Sequence, residues 1–168
     1  MIERGCINYI PDFDLSEINF TDRESCYQQV DGMENYYCPE NSSIWQMFEN
    51  DIPDPLRALV DDLPDTFTEF TESITRIDPG NTVPYHSDKH YKIRQTAEWL
   101  TYGGETFRYL IFLEDWKSGH YFEIEGKPFL NWKKGDWVKF GQEDWHLAGN
   151  SGVDPFYAAQ ITVVENDK

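Results

Sequence analysis

The sequence predicts a mainly β protein, an antiparallel barrel or double-sheet jelly roll with short helices ahead of it. Three observations carry that reading. Runs rich in Thr, Phe, Ile, Val and Tyr recur from Thr66 to Val164, Gly- and Lys-bearing gaps of hairpin length separate them, and the first 65 residues lack any such rhythm. At 168 residues the chain is read as a single domain, 1–168, with wrapping segments and short helices over 1–65 and a β core over 66–164.

The elements follow in chain order. A short strand is expected near Ile7–Ile10. Ser43 can N-cap a helix from Ile44 through Glu49, since Ile44, Met47 and Phe48 share one face at helical spacing. Pro53 and Pro55 punctuate the chain, and Pro55 can open a second helical turn through Leu56, Leu59 and Val60. Strand character then runs over Thr66–Ile77 and stops at the turn Asp78-Pro79-Gly80-Asn81. Further strands are expected at Thr106–Leu113, His120–Glu125, Pro128–Trp132, Asp136–Phe140 and Phe156–Val164. Gly126-Lys127 and Lys133-Lys134-Gly135 make the short connections of a meander.

Charge narrows the classes of partner. Against 31 Asp and Glu stand 14 Lys and Arg, for a net charge of −17, which argues against binding double-stranded nucleic acid or an anionic membrane. Residues 1–80 hold 18 acids and 4 bases, whereas 81–168 hold 13 and 10, so an anionic small ligand is expected in the second half. No apolar run is long enough to span a bilayer, and the start lacks the pattern of a secretory signal; a cytoplasmic monomer is expected. Cys6, Cys26 and Cys38 form neither an even set nor a CxxC pair, so they read as reduced packing residues.

Four histidines are present: His86, His90, His120 and His146. In Tyr85-His86-Ser87-Asp88, strand alternation would point His86 and Asp88 to one side, and His146 could return from a later strand as a third donor. Two imidazoles and one carboxylate on one face of an ion form the facial set of non-haem Fe(II) oxygenases. On spacing alone, two readings stay open: a metal site, or histidines hydrogen-bonded within a core.

The words around these residues add a resemblance. Arg108-Tyr109-Leu110-Ile111-Phe112-Leu113, Gly119-His120-Tyr121-Phe122, Lys134-Gly135-Asp136-Trp137 and His146-Leu147-Ala148-Gly149-Asn150, following His86-Ser87-Asp88, resemble Fe(II)/2-oxoglutarate-dependent dioxygenases. They look closest to the small, often phage-encoded oxygenases related to aspartyl/asparaginyl and prolyl hydroxylases. The resemblance spans about residues 70–164. It implies a double-stranded β-helix (jelly-roll, cupin-like) core. By the same resemblance His86, Asp88 and His146 would be both the catalytic set and the ligands of Fe(II), with 2-oxoglutarate and O2 as co-substrates and hydroxylation of a C–H bond as the outcome. Arg108 would hold a 2-oxoglutarate carboxylate, as a planar guanidinium suits; otherwise it is a surface strand Arg. Tyr109 should face the opposite way.

One departure stands out. The family carries a basic residue about ten positions after the distal His, but Pro155–Ile161 contains neither Lys nor Arg. Arg108 would then act alone or with Asn150 and Gln160, or the co-substrate is not 2-oxoglutarate. The alternatives are a cupin-like metalloenzyme that does not use it, and a non-catalytic jelly-roll binding module. A small molecule or a peptide side chain is the expected substrate. Lys89–Arg94 reads either as a cationic lip or as a solvated loop, the Trp residues as core and rim packing, and His120 has no assigned role.

Overall fold

In the computed structural model, the described residues are 2–8, 10–22, 45–48, 51–65, 67–88, 90, 93 and 105–165. Eleven strands occur among them: β1 Glu3–Cys6, β2 Thr21–Asp22, β3 Trp45–Phe48, β4 Phe67–Ile77, β5 Thr82–His86, β6 Thr106–Phe112, β7 His120–Ile124, β8 Lys127–Phe129, β9 Asp136–Gly141, β10 His146–Asn150 and β11 Phe156–Glu165. They form a seven-stranded sheet in the order β1-β9-β6-β11-β4-β3-β2 and a four-stranded sheet in the order β5-β10-β7-β8. All pairings are antiparallel. The central order β9-β6-β11-β4 facing β5-β10-β7-β8 is that of a double-stranded β-helix, so the jelly roll predicted from the meander is present.

Alternation along each strand decides what fills the barrel. On β6, Leu110 and Phe112 point inward while Tyr109 and Ile111 point outward, and β11 repeats this with Phe156 and Ala158 against Tyr157, Ala159 and Ile161. The closed end is aromatic: Phe112 stacks on Trp132 with ring centroids 4.0 Å apart, and Phe156 and Phe122 pack beside them. Toward the start of β6 and along β11 the inward positions become the polar Arg108, Gln160 and Thr162, which line the space and do not close it with packed rings. A cavity opens there.

The seven-stranded sheet has a second core on its outer face. Leu15, Ile18, Ile52, Leu56, Leu59 and Leu63 bury themselves against Ile74, Ile111, Trp137 and Ile161. Helix α1, Asp54–Arg57, starts with Pro55 inside its first turn and continues as a 3-10 turn over Ala58–Asp62, as the Pro punctuation predicts. The expected helix from Ile44 is corrected. Residues 45–48 are strand β3, paired to β4 through Trp45↔Arg76 and Phe48↔Ser73, while Ser43, Ile44 and Glu49 lie outside the described residues. The expected strand near Ile7–Ile10 lies earlier, at Glu3–Cys6, where β1 pairs with β9. The N-terminal segment thus lends strands to the sheet as well as wrapping it.

Turns are placed by local chemistry. Glu125 and Gly126 both have positive φ, 50° and 72°, giving the two-residue hairpin from β7 to β8 a twist matched to its strands. Gly119 has φ 95° and lies so close to the β10–β11 connection that a Cβ would come 2.2 Å from the Gly152 nitrogen. Only glycine fits there. No helix among the described residues is long and apolar enough to cross a membrane.

Candidate metal centre

His86 ends β5, and His146 begins β10 directly opposite it in the register of the four-stranded sheet. The two imidazoles lie with ring centroids 4.3 Å apart. Because β5 stops at His86, Asp88 is not delivered by strand alternation, as the sequence reading expects; it arrives from the segment that leaves the strand. The outcome is the same juxtaposition. Donor atoms of His86, Asp88 and His146 all lie within 4.8 Å of one another.

Both histidines are oriented by backbone. His86 Nδ1 donates to the Pro84 carbonyl at 2.7 Å and His146 Nδ1 to the Asp144 carbonyl at 3.0 Å. A carbonyl can only accept, so each Nδ1 carries a hydrogen, which leaves Nε2 as the ligating nitrogen of the neutral ring. Those Nε2 atoms face the Asp88 carboxylate at 3.6 Å from His86 and 3.4 Å from His146. Carbonyl anchoring of this kind fixes tautomer and ring orientation for metal ligation.

The electrostatics agree with that role. Burial pushes the His146 imidazole down to about 4, against the pull of Asp88, so the ring stays neutral and able to ligate. Burial acts to raise the Asp88 carboxyl, but the Arg108 guanidinium, with His146 and His86, overrides it and holds the group well below the usual carboxylate range. Two imidazoles anchored through Nδ1 and one carboxylate fit a divalent transition metal, with sides left open to other ligands.

Arg108 points inward, as its alternation with Tyr109 predicts. Its Nη1 donates to Asp88 Oδ2, while Nε and Nη2 both donate to Thr162 Oγ1 at 3.2 Å. It is therefore no surface Arg. The cavity measures about 280 Å³ and is lined by the three donors together with Arg108, Gln160, Thr75 and Ser73. Arg108 is the one Lys or Arg among its described lining residues. Gln160 donates to Thr75 Oγ1 at 3.0 Å, with Gln46 on the same hydroxyl at 3.4 Å. Asn150 takes a different place. Its amide nitrogen donates to the carbonyls of Ile77 and Asp154, its oxygen accepts from the Gly152 nitrogen, and it does not line the cavity.

The remaining histidines divide. His120 is a core residue, donating from Nε2 to the Asp154 carbonyl at 3.0 Å and stacking on Phe156. His90, which the sequence reading leaves in the basic segment, lines the cavity with its Nε2 3.8 Å from Asp88 Oδ2. Recurrence of His86, Asp88 and His90 at every second position was the signal available for it. Of Lys89–Arg94, only His90 and Ile93 lie within the described residues. Trp132 and Trp137 are core, whereas Trp145 is 45% exposed and packs on Tyr85 outside the four-stranded sheet.

No protein-family model matches the sequence, and no curated protein matches it. Solved structures resembling it include the cupin domain of Schizosaccharomyces pombe Cnp3, at 10% identity and TM-score 0.44 over 73% of this chain and 65% of that one. The chain thus spans just under two thirds of that protein's length. KdgF from Halomonas sp. aligns at 10% identity and TM-score 0.44 over 74% of this chain and 81% of that one. A predicted oxalate decarboxylase from Thermotoga maritima aligns at 15% identity and TM-score 0.43 over 74% and 83%. Of these three, the Cnp3 structure is described as a cupin domain. The fold assignment rests on the strand order given above, and the site on its own residues.

Proposed function

We propose that this chain is a non-haem Fe(II)- and 2-oxoglutarate-dependent oxygenase that hydroxylates a C–H bond of a small molecule or peptide side chain. One observation supports this above the others: two carbonyl-anchored imidazoles face a carboxylate at the edge of a cavity whose described lining has a single Lys or Arg, Arg108. His86, Asp88 and His146 would hold the iron, which supplies activation of O2 coupled to oxidative decarboxylation of 2-oxoglutarate. The chain's own contribution is placement. Arg108, braced by Thr162, attracts a carboxylate into the cavity, and the hydroxyl of Thr75 with the amide of Gln160 offers neutral hydrogen bonds further along the floor. A volume of about 280 Å³ suits small ligands, since drug-sized sites run from roughly 300 Å³ upward. Stacked rings close the opposite end of the interior.

A second reading has its own support. Arg108 already bonds a metal ligand, and no dedicated cation lies elsewhere on the described lining, as the lack of Lys or Arg in 155–161 foreshadows. On that reading the protein is a cupin-like metalloenzyme whose substrate itself chelates the ion. An anaerobic titration with Fe(II) and then 2-oxoglutarate separates the two. A visible charge-transfer band, absent in His146→Ala and weakened in Arg108→Ala, is the expected result; stoichiometric iron uptake with no band would replace the first reading by the second.

A further inference from the structure

The cavity wall on the seven-stranded sheet, opposite His86 and His146, is polar yet nearly without charge. Ile74 packs in the outer core, so its neighbours on β4, Ser73 and Thr75, turn inward together with Thr71, and all three line the cavity at 9% exposure or less. The register sets Gln46 of β3 beside Thr75, and Gln160 and Thr162 of β11 beside Ser73 and Thr71. Among the described lining residues, the one charged residue from these three strands is Glu72, an acid.

Hydrogen-bond direction shows what this wall offers. Thr75 Oγ1 accepts from Gln160 Nε2 at 3.0 Å and from Gln46 Nε2 at 3.4 Å. Both lone pairs of the hydroxyl are thereby engaged, and its hydrogen is left to donate. Among the described residues no acceptor takes that hydrogen, and neither the Ser73 hydroxyl nor the amide oxygens of Gln46 and Gln160 have a protein partner. Thr75 is 4% exposed, and buried polar groups are ordinarily paired. What completes them must therefore enter the cavity. Thr71, Ser73 and Thr75 recur at about 6.6 Å along the strand, so the unused groups are spread along the wall and not gathered at one point.

We propose that this wall is the substrate subsite for an uncharged, polyhydroxylated small molecule of the polyol or sugar class, with Thr75 as the donor that selects it. The proposal rests on the reading of the cavity as a substrate site beside a metal centre, and it names the substrate class. A carboxylate can only accept and needs a cation when buried, whereas Arg108 is already bonded to Asp88 and Thr162. An alkyl group would strip water from the hydroxyls and return no hydrogen bond. A ligand hydroxyl accepts from Thr75 and donates to a glutamine oxygen in the same place, and several hydroxyls on one carbon chain meet groups spread along a strand. Phe48, across from Ser73 on β3, adds an aromatic side chain for the C–H side of such a ligand.

The test is a titration of the full chain, followed through its backbone amide NMR shifts, with three probes of equal carbon number: xylitol, 1,5-pentanediol and glutarate. Xylitol is expected to shift amides of β4 and β11 and to bind about tenfold more tightly than 1,5-pentanediol, which lacks the inner hydroxyls. Thr75→Val and Ser73→Ala should each weaken xylitol by about tenfold and leave 1,5-pentanediol within twofold. Equal affinity for xylitol and 1,5-pentanediol would overturn the proposal. So would glutarate binding more tightly than xylitol at the same amides, xylitol affinity unmoved by either substitution, or no xylitol binding at all, which would leave the wall to water. Should Thr75→Val not fold, Ser73→Ala decides alone. Co(II) uptake by the same chain, measured before any probe is added, keeps the two failures apart: uptake without preference for xylitol sinks this proposal only, and absence of uptake removes the metal centre and the proposal with it.

Discussion

Arg108 donates from the large sheet into the Asp88 carboxylate, so a residue of β6 is bonded across the barrel to the segment leaving β5. Both side chains are largely buried, at 17% and 16% exposure. Removing one member of such a pair leaves the other charged in a poorly solvated place, a cost of about 3–5 kcal/mol. Arg108→Met is therefore expected to destabilise the metal-free protein by that order in urea unfolding, and Asp88→Asn in the same background to recover most of it. Additive losses in the double variant would contradict the coupling.

Thr162 offers a finer probe. Its hydroxyl accepts two hydrogen bonds from Arg108, so Thr162→Val frees the guanidinium from one wall without touching a metal ligand. Loss of 2-oxoglutarate affinity by about tenfold, equal to about 1.4 kcal/mol, with metal affinity within twofold, is the expected pattern. Calorimetric titration of both ligands checks it.

Acid sensitivity follows from burial at the same site. The His146 value of about 4 lies below the ordinary imidazole value of 6.5, so the unfolded chain takes up a proton before the folded one does. Its contribution is fully present above about pH 6.5 and is lost as pH falls toward 4, on the order of 3 kcal/mol in all. Asp88, held low by Arg108, adds a second loss below the ordinary carboxylate range of about 4. Metal-free protein should therefore lose stability in two successive acid steps. His146→Gln should remove the upper one, as urea unfolding at half-unit pH intervals would reveal.

Lys139 provides a control outside the site. It is 4% exposed, with Asp65 Oδ2 2.8 Å from Nζ, and Tyr109 donates to the same oxygen. Asp65→Ala should cost on the order of 3 kcal/mol, because a buried ammonium loses its nearest counter-charge. Metal affinity should not change, since this cluster lies on the outer face of the sheet. A shift in metal affinity would tie the outer core to the site.

The strands of the core were readable because each carries β-branched and aromatic residues between turn signals, and Thr66–Ile77 matches β4 to within one residue. The segment around Met47 was not. Ile44, Met47 and Phe48 have helical spacing, yet residues 45–48 pair with β4, and a long-range ladder outweighs the weak local preference. His86, Asp88 and His146 were legible as a motif, although chain geometry after β5, not alternation, brings Asp88 in. Arg108 was readable as an inward charge; its bond to Asp88 was not, since nothing local in 88 or 108 encodes a contact across the barrel. Asn150, at the opposite end of β10 from the distal histidine, was read as a binding residue but is a loop brace.

The two sheets are unequally clad. The seven-stranded sheet carries packed side chains on both faces, whereas the outer side of the four-stranded sheet holds Tyr85 at 42% and Trp145 at 45% exposure. The site residues are split between these walls: Arg108 stands on the doubly packed one, His86 and His146 on the other. Backbone amides of β6 and β11 should accordingly be the slowest to exchange with deuterium, and those of β5 and β10 much faster. The molecule is then expected to behave as a stiff anvil facing a more compliant leaf, with the histidines carried on the leaf.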